Sequence, residues 1–307
     1  MARSSRVTST RSTPINSLAR IVWALLGSAL LTPIAFAQAP AASTLKVCAD
    51  PDNLPQSDRS GAGYENKIAE VLARDLGRKL EYTWFPQRMG FVRQTLRAQD
   101  EVTHEFKCDL IIGVPKGYDL TLTTQPYMRS IYALVAPAKD EYKKLKSAEE
   151  LLSLPREKLS KLRFGVFART PPTDWLLKNG LVGQVHFYAP QSGDPTEHPA
   201  NIIERDLAAG NIDVAMVWGP VAGFLVNQHK GGDWVSVPFH PDPAIQFDYE
   251  MSMGVRFGEK EWKDTLDKWI VAHREDIRGI LTSFRVPLLE PAKTPAAGDA
   301  PRPPDAR

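Results

Sequence analysis

The stretch Cys108-Asp-Leu-Ile-Ile-Gly-Val-Pro115 decides the fold class. Its apolar run from Leu110 to Val114 carries no charge and stops at a proline, which is typical of a short strand buried on both faces of a sheet. Such strands occur in α/β proteins, where helices cover both faces of the sheet. The sequence on either side should therefore alternate strands with helices.

The chain upstream of this stretch alternates in that way. A helical pattern over 64–76 ends at Gly77, a typical helix stop. A shorter helix is predicted over 91–98. The predicted strands are 45–49, 79–84 and 110–114, and with the helices they make one mainly parallel α/β lobe.

The chain downstream starts a second α/β series. An extended run over 123–137 leaves the first lobe. The predicted strands of the second lobe are 163–167, 184–188 and 210–217, and its helices begin at Thr170 and Asn201. Two extended segments, 234–238 and 249–256, then return the chain to the first lobe, which an amphipathic helix over 261–281 completes.

The predicted fold class is thus α/β, with two α/β lobes joined by a two-segment hinge and a cleft between them. Lobe 1 is discontinuous and spans 44–136 plus 240–290, and lobe 2 spans 137–239. Ligands of such sheets bind beyond the carboxyl ends of the strands, so a small ligand is expected among the loops that face the cleft.

The amino terminus has the layout of a signal peptide. Four arginines, the last of them Arg20, precede an apolar run from Ile21 to Ala37 without acidic residues. Cleavage is predicted after Ala37, which predicts a soluble periplasmic product with no stable membrane insertion; an uncleaved anchor is the alternative.

Removing residues 1–37 takes away four arginines and no acidic residue, which lowers the formal net charge from +2 to −2. A nearly neutral chain argues against nucleic acid as a partner, because nucleic-acid binders carry a clear excess of clustered Lys and Arg. At the other end, the Pro- and Ala-rich tail over 291–307 is predicted to be disordered.

The chain has two cysteines, Cys48 and Cys108, and each lies at a predicted strand. An even count in the oxidising periplasm favours a disulfide, and the first and third strands of a βαβαβ unit commonly lie side by side. Two separate buried thiols remain the alternative.

Four ordered stretches carry a resemblance to a known family: Val47-Cys-Ala-Asp-Pro-Asp-Asn-Leu-Pro55, Tyr64-Glu-Asn-Lys-Ile-Ala69, Glu81-Tyr-Thr-Trp-Phe-Pro-Gln-Arg88 and Gly113-Val-Pro-Lys-Gly-Tyr-Asp119. The chain from about 44 to 290 resembles the quinoprotein-dehydrogenase-associated periplasmic binding proteins, which include the methanol-oxidation J proteins MxaJ and XoxJ. The resemblance implies a type II periplasmic binding protein fold. Family members are encoded beside pyrroloquinoline-quinone alcohol dehydrogenases and a c-type cytochrome, which implies a role in periplasmic alcohol oxidation.

One departure from related amino-acid receptors bears on the ligand. Those receptors usually place an arginine just after the third strand, where its fork holds the ligand carboxylate. Here the stretch reads Pro115-Lys-Gly-Tyr-Asp119 and contains no arginine. Ordinary amino-acid binding is therefore not expected.

The side chains after strand ends are the candidate contacts with a ligand or partner. Asp50 and Asn53 equally suit a turn, and a residue in the position of Thr170 more often caps its own helix than helps to hold an anion. Tyr118 and Trp218 lie at corresponding strand ends of the two lobes and either close on a ligand or belong to the core. The full candidate set is Asp50, Asn53, Leu54, Trp84, Gln87, Arg88, Pro115, Tyr118, Thr170 and Trp218.

The sequence gives little support to catalysis. Its six histidines are scattered, and no nucleophile elbow, phosphate loop or haem-attachment motif occurs, so neither a metal nor a cofactor is expected. The preferred hypothesis is a non-catalytic accessory or maturation partner of a pyrroloquinoline-quinone alcohol dehydrogenase. The alternatives are a solute receptor that delivers a small organic ligand to an ABC transporter and a periplasmic dehydratase of the same fold.

Overall fold

The structure of the chain, a computed structural model, describes residues 43–189, 199–229 and 233–290. The predicted signal peptide and tail lie outside these ranges. The strands are β1 Thr44–Ala49, β2 Asp52–Asn53, β3 Ser57–Asp58, β4 Lys79–Trp84, β5 Leu110–Pro115, β6 Leu122–Ile131, β7 Ala133–Pro137, β8 Phe164–Phe167, β9 Val185–Tyr188, β10 Val214–Val217, β11 Trp234–Pro238 and β12 Asp248–Val255.

The helices show where the sequence interpretation was incomplete. The α-helices are α1 Tyr64–Asp75, α2 Phe91–Gln94, α3 Asp140–Lys143, α4 Arg156–Leu159, α5 Pro171–Lys178, α6 Pro199–Ala208, α7 Gly219–Gln228, α8 Lys260–Ala272 and α9 Arg274–Ser283, and 3₁₀ turns cover Ala148–Ser153 and Val182–Gln184. Helix α2 is one turn rather than eight residues, and α7 was not predicted. The helix predicted over 261–281 is two helices, because the chain leaves helical geometry at His273.

Two five-stranded sheets carry these elements, in the orders β4-β1-β5-β12-β6 and β11-β7-β10-β8-β9. In each sheet three neighbouring strands are parallel and the other two pairings are antiparallel. The prediction of mainly parallel sheets is therefore wrong for half of the pairings. Each antiparallel pairing involves β6, β7, β11 or β12. These four strands lie next to the two passages by which the chain leaves the first sheet and returns to it.

Both passages meet at Tyr132. Its N–H donates to the Phe247 carbonyl at 3.0 Å, and its carbonyl accepts from the Phe239 N–H at 3.0 Å. The predicted boundary after residue 136 is wrong, because β7 pairs with β10 and β11 in the second sheet. The predicted return at residue 240 is early, because Ile245 and Phe247 still pack in the second-lobe core.

The first lobe has a core on each face of its sheet. Helices α1, α8 and α9 cover one face, with Ile68, Ile112 and Leu281 among the buried side chains. The other core contains Ile111 and both cysteines. Neighbouring residues on β5 thus serve opposite faces, as the two-residue period of a strand requires.

The predicted disulfide between Cys48 and Cys108 is confirmed. Cys48 lies on β1 opposite Ile111 of β5, and the two cysteine Cα atoms are 5.5 Å apart. Arg256, at the end of β12, donates from its Nη1 atom to the carbonyls of Leu96 and Cys108. The disulfide region is therefore anchored to the part of lobe 1 that comes late in the sequence.

Helix α7 of the second lobe packs closely against backbone of the first lobe, at the end of β6 and just after α9. A Cβ on Gly223 would overlap the carbonyl oxygen of Arg285, and a Cβ on Gly219 would overlap that of Ile131. Two glycines one helical turn apart therefore let the α7 backbone approach the first lobe directly. Among the described residues no helix is long and apolar enough to cross a membrane.

We expect the double variant Cys48→Ser/Cys108→Ser to lower the free energy of unfolding by about 4 kcal/mol, because the bridge closes a long loop in the unfolded chain. The cysteines are 60 positions apart. Urea denaturation measures the loss. Reductant should destabilise the wild type to the same extent and leave the double variant unchanged; equal stability of variant and oxidised wild type would contradict the prediction.

We expect Gly223→Ala to lower the free energy of unfolding by roughly 1–3 kcal/mol, because its methyl group would meet a fixed carbonyl. Gly279→Ala in α9 is the matched control, since its Cβ has open space. The control should be neutral or stabilising by up to about 1 kcal/mol. Similar losses in both variants would show that close packing of α7 is not the cause.

Candidate functional site

A pocket of about 630 Å³ opens on the first lobe, between the segment 87–97 and the end of β5 with its following loop. Parallel strands β4 and β5 end at the same edge of the sheet, so the loops after them converge there. Buried Phe91, Val92 and Ile111 provide an apolar floor.

The pocket brings together four of the ten predicted site residues: Gln87, Arg88, Pro115 and Tyr118. The side chain of Tyr118 also packs against the core that contains the disulfide. The guanidinium carbon of Arg88 lies 5.8 Å from the ring centroid of Phe85, a cation–π distance.

The sequence interpretation missed four exposed residues of this pocket: Met89, Arg93, Arg97 and Leu120. Arg93 and Arg97 follow Arg88 and are four positions apart, one turn of the helix predicted over 91–98, and this basic spacing was the available signal. Arg97 donates from Nη2 to the Leu120 carbonyl at 2.6 Å, which joins the two sides of the pocket.

Asp50 and Asn53 form the support beside the pocket. The Asp50 carboxylate accepts from the Gln87 N–H at 2.5 Å and from the Asp52 N–H at 2.9 Å. The Asn53 amide donates to the Gln87 side-chain oxygen at 3.0 Å. These bonds tie the loop after β1 to the loop after β4, so both side chains are already engaged within lobe 1.

Leu54 reaches the other lobe. Its side chain packs against the second-lobe core that includes Val217 and Phe224. An apolar residue of the first lobe therefore occupies part of the region between the lobes.

Trp84 and Trp218 pack in separate aromatic clusters. Trp84 stacks on Tyr82 with ring centroids 4.6 Å apart, and Trp218 lies 5.4 Å from Tyr132 and 5.7 Å from Tyr249. Across the described ranges no ring contact joins Trp218 to Tyr118. Trp218 packs at the passage between the sheets, whereas Tyr118 lines the pocket of lobe 1, and closure of the two on a ligand stays a prediction.

Thr170 precedes α5 but does not cap it through its side chain, because its hydroxyl donates to the Phe167 carbonyl at 2.7 Å. The first two helical residues, Pro171 and Pro172, have no N–H, and the Thr173 N–H donates to the Thr170 carbonyl. The first three positions of this helix therefore offer an anion no free amide.

Lys116, which stands in the loop where amino-acid receptors hold their arginine, is paired. Its Nζ lies 2.8 Å from the Glu250 carboxylate on β12. In the ranges that the structure covers, no group of three or more His, Cys, Asp or Glu side chains could hold a metal ion.

Comparison with known proteins gives the family. The chain is 38% identical to the periplasmic binding protein XoxJ from Methylobacterium extorquens AM1, with a TM-score of 0.64, and covers all of that chain with 81% of its own length. The chain belongs to the XoxJ and MxaJ family of periplasmic binding proteins. The type II periplasmic binding protein fold expected from the sequence is thereby confirmed.

Two relatives of lower identity also align with most of the chain. Protein MoxJ from Methylorubrum extorquens is 28% identical over 265 residues, which cover 81% of this chain and 83% of MoxJ. Protein MoxJ from Paracoccus denitrificans is 25% identical over 268 residues, or 80% of this chain and 90% of its own. No protein-family model matches the sequence.

A buried acid lies behind the pocket in this family member. Glu65, near the start of α1, is 8% exposed, and its carboxylate fills the space that a side chain on Gly113 would take. Burial, and then repulsion from the Asp50 carboxylate, raise the pKa of Glu65 to about 8. At neutral pH the folded protein therefore keeps this carboxyl protonated.

We expect Glu65→Gln to flatten the pH dependence of stability. The raised pKa of Glu65 stabilises the folded state fully only when the pH is below the pKa that Glu65 has in the unfolded chain. This contribution to stability is lost as the pH rises toward 8. Between about pH 5 and pH 7.5 the wild type should lose on the order of 3 kcal/mol relative to the variant. Urea denaturation across this range measures it, with Glu101→Gln on the surface as the control. Parallel curves for wild type and Glu65→Gln would refute the prediction.

Proposed function

We propose that this protein acts in the periplasm as a non-catalytic accessory or maturation partner of a pyrroloquinoline-quinone alcohol dehydrogenase, with methanol as the expected substrate of that enzyme. One observation carries the proposal: 38% identity over the full length of XoxJ. Export by a signal peptide cleaved after Ala37 belongs to the proposal, as does a c-type cytochrome as a further component.

The region between the lobes supports a protein partner over an amino-acid ligand. Lys116 is neutralised by Glu250, α5 begins with two prolines, and Leu54 spans toward the second lobe. None of these features would hold the carboxylate of an amino acid, whose recognition requires a free cation or free amides.

The surface of lobe 1 has the composition of a protein interface. Met89 is 97% exposed and Phe257 is 57% exposed, and the guanidinium of Arg97 lies 5.7 Å from the Phe257 ring centroid. Met, aromatic residues and Arg are enriched at protein interfaces. This face, formed by Arg88, Met89, Arg93, Arg97, Leu120 and Phe257, is called the arginine face below.

The alternative function is a solute receptor for an ABC transporter, and the pocket favours it. Its volume of about 630 Å³ lies within the range of small-molecule sites. A receptor is stabilised by its solute, whereas an accessory protein responds to its enzyme.

Capture from periplasmic extract distinguishes the two functions. With residues 38–307 as bait and cells grown on methanol, we expect mass spectrometry to identify a pyrroloquinoline-quinone dehydrogenase among the captured proteins. Met89→Asp should weaken capture by about tenfold, because it places a charge in the arginine face. Leu177→Asp, at an exposed apolar position of lobe 2, is the matched control and should capture normally.

Failure to capture a dehydrogenase, together with a solute that raises the melting temperature of the bait, would replace the accessory function with the receptor function. Equal loss of capture in both variants would show that the arginine face does not form the contact.

A further inference from the structure

Three arginines surround the pocket of lobe 1 without an acidic counterpart. Arg88, Arg93 and Arg97 line it, and none of its lining residues is Asp or Glu. No ion pair joins any of the three to a carboxylate within 43–189, 199–229 and 233–290. The pocket therefore holds three positive charges that the described side chains leave uncompensated.

The positions of two of these guanidinium groups are set by apolar and backbone contacts. Arg88 lies over the Phe85 ring, while Arg97 lies near the Phe257 ring and donates to the Leu120 carbonyl. Such contacts orient a guanidinium without neutralising it. The remaining N–H groups are available to an anion.

The apolar floor of the pocket favours a different part of a ligand than the three arginines do. Phe91, Val92 and Ile111, which form this floor, are buried apolar side chains of the first-lobe core. An inorganic anion would leave this surface wet, whereas an apolar molecular body would cover it. Pockets with an apolar lining and a few convergent polar groups are typical of organic ligands.

We propose that this pocket binds an organic polycarboxylate with an apolar body, its carboxylates on the three guanidinium groups and its body on the floor. Each guanidinium fork matches a carboxylate with two parallel hydrogen bonds. The ligand class follows from lobe 1 alone, so the proposal does not depend on the dehydrogenase partner.

Titration calorimetry of residues 38–307 tests the proposal with trimesate, a benzene ring bearing three carboxylates. We expect saturable binding, with an affinity at least about tenfold higher than for trimesamide, the neutral triamide of the same shape, because the amide cannot form charge-assisted bonds. Citrate, which has the charges but no apolar ring, and inorganic phosphate should also bind at least about tenfold more weakly.

Arginine variants locate the site. Arg93→Gln and Arg88→Gln should each weaken trimesate binding by about tenfold, and Arg97→Gln should do the same if its melting temperature is retained. Arg274→Gln is the matched control, since Arg274 is an exposed arginine of α9, away from the pocket lining. It should bind trimesate like the wild type.

Several outcomes would overturn the proposal. These are no trimesate binding, equal binding of trimesamide or phosphate, or equal affinities of the wild type and the Arg88 and Arg93 variants. Loss of dehydrogenase capture by Arg93→Gln without any trimesate binding would assign the arginines to an acidic protein surface instead, which also overturns it. Because calorimetry uses the isolated protein, a negative capture experiment leaves this result unaffected.

Discussion

The backbone of Tyr132 donates to Phe247 and accepts from Phe239, and the rest of the structure depends on this pair of hydrogen bonds. They join the outgoing and the returning passage between the sheets at a single residue. Because β6 and β7 lie on either side of Tyr132, these bonds set how β12 meets β6 and how β11 meets β7. The Tyr132, Trp218 and Tyr249 rings pack beside the same point and add apolar contact to it.

Local sequence was sufficient for most strands of the two five-stranded sheets and insufficient for several helices. Strand β4 has the predicted bounds because apolar and β-branched residues lie between clear stops. Helix α7 was missed because Gly219 and Pro220 suit a turn as well as the first helical turn. The break at His273 was missed because the apolar spacing continues through it, while the contact of its Nε2 with Asp75, at 2.8 Å, is tertiary.

Part of the candidate site was likewise predictable from local sequence. Gln87, Arg88, Pro115 and Tyr118 lie at or just after strand ends, and strand ends at one edge of a sheet must converge. Arg93 and Arg97 were missed because basic residues on a predicted surface helix, here 91–98, usually form a solvated face. The pairing of Lys116 with Glu250 joins residues 134 positions apart, and no local pattern reveals it.

Strand β12 also determines the order in which the lobes can be completed. Among the described residues, β6 has β12 as its one strand partner in the sheet, and β5 needs β12 on its open side. The second sheet draws all its strands from 133–238. In a chain delivered amino terminus first, the second sheet can therefore pair all its strands while the sheet of lobe 1, which begins earlier, still exposes two unpaired strand edges. Such edges are sites of aggregation, so newly delivered chains are most vulnerable just before residues 248–255 arrive.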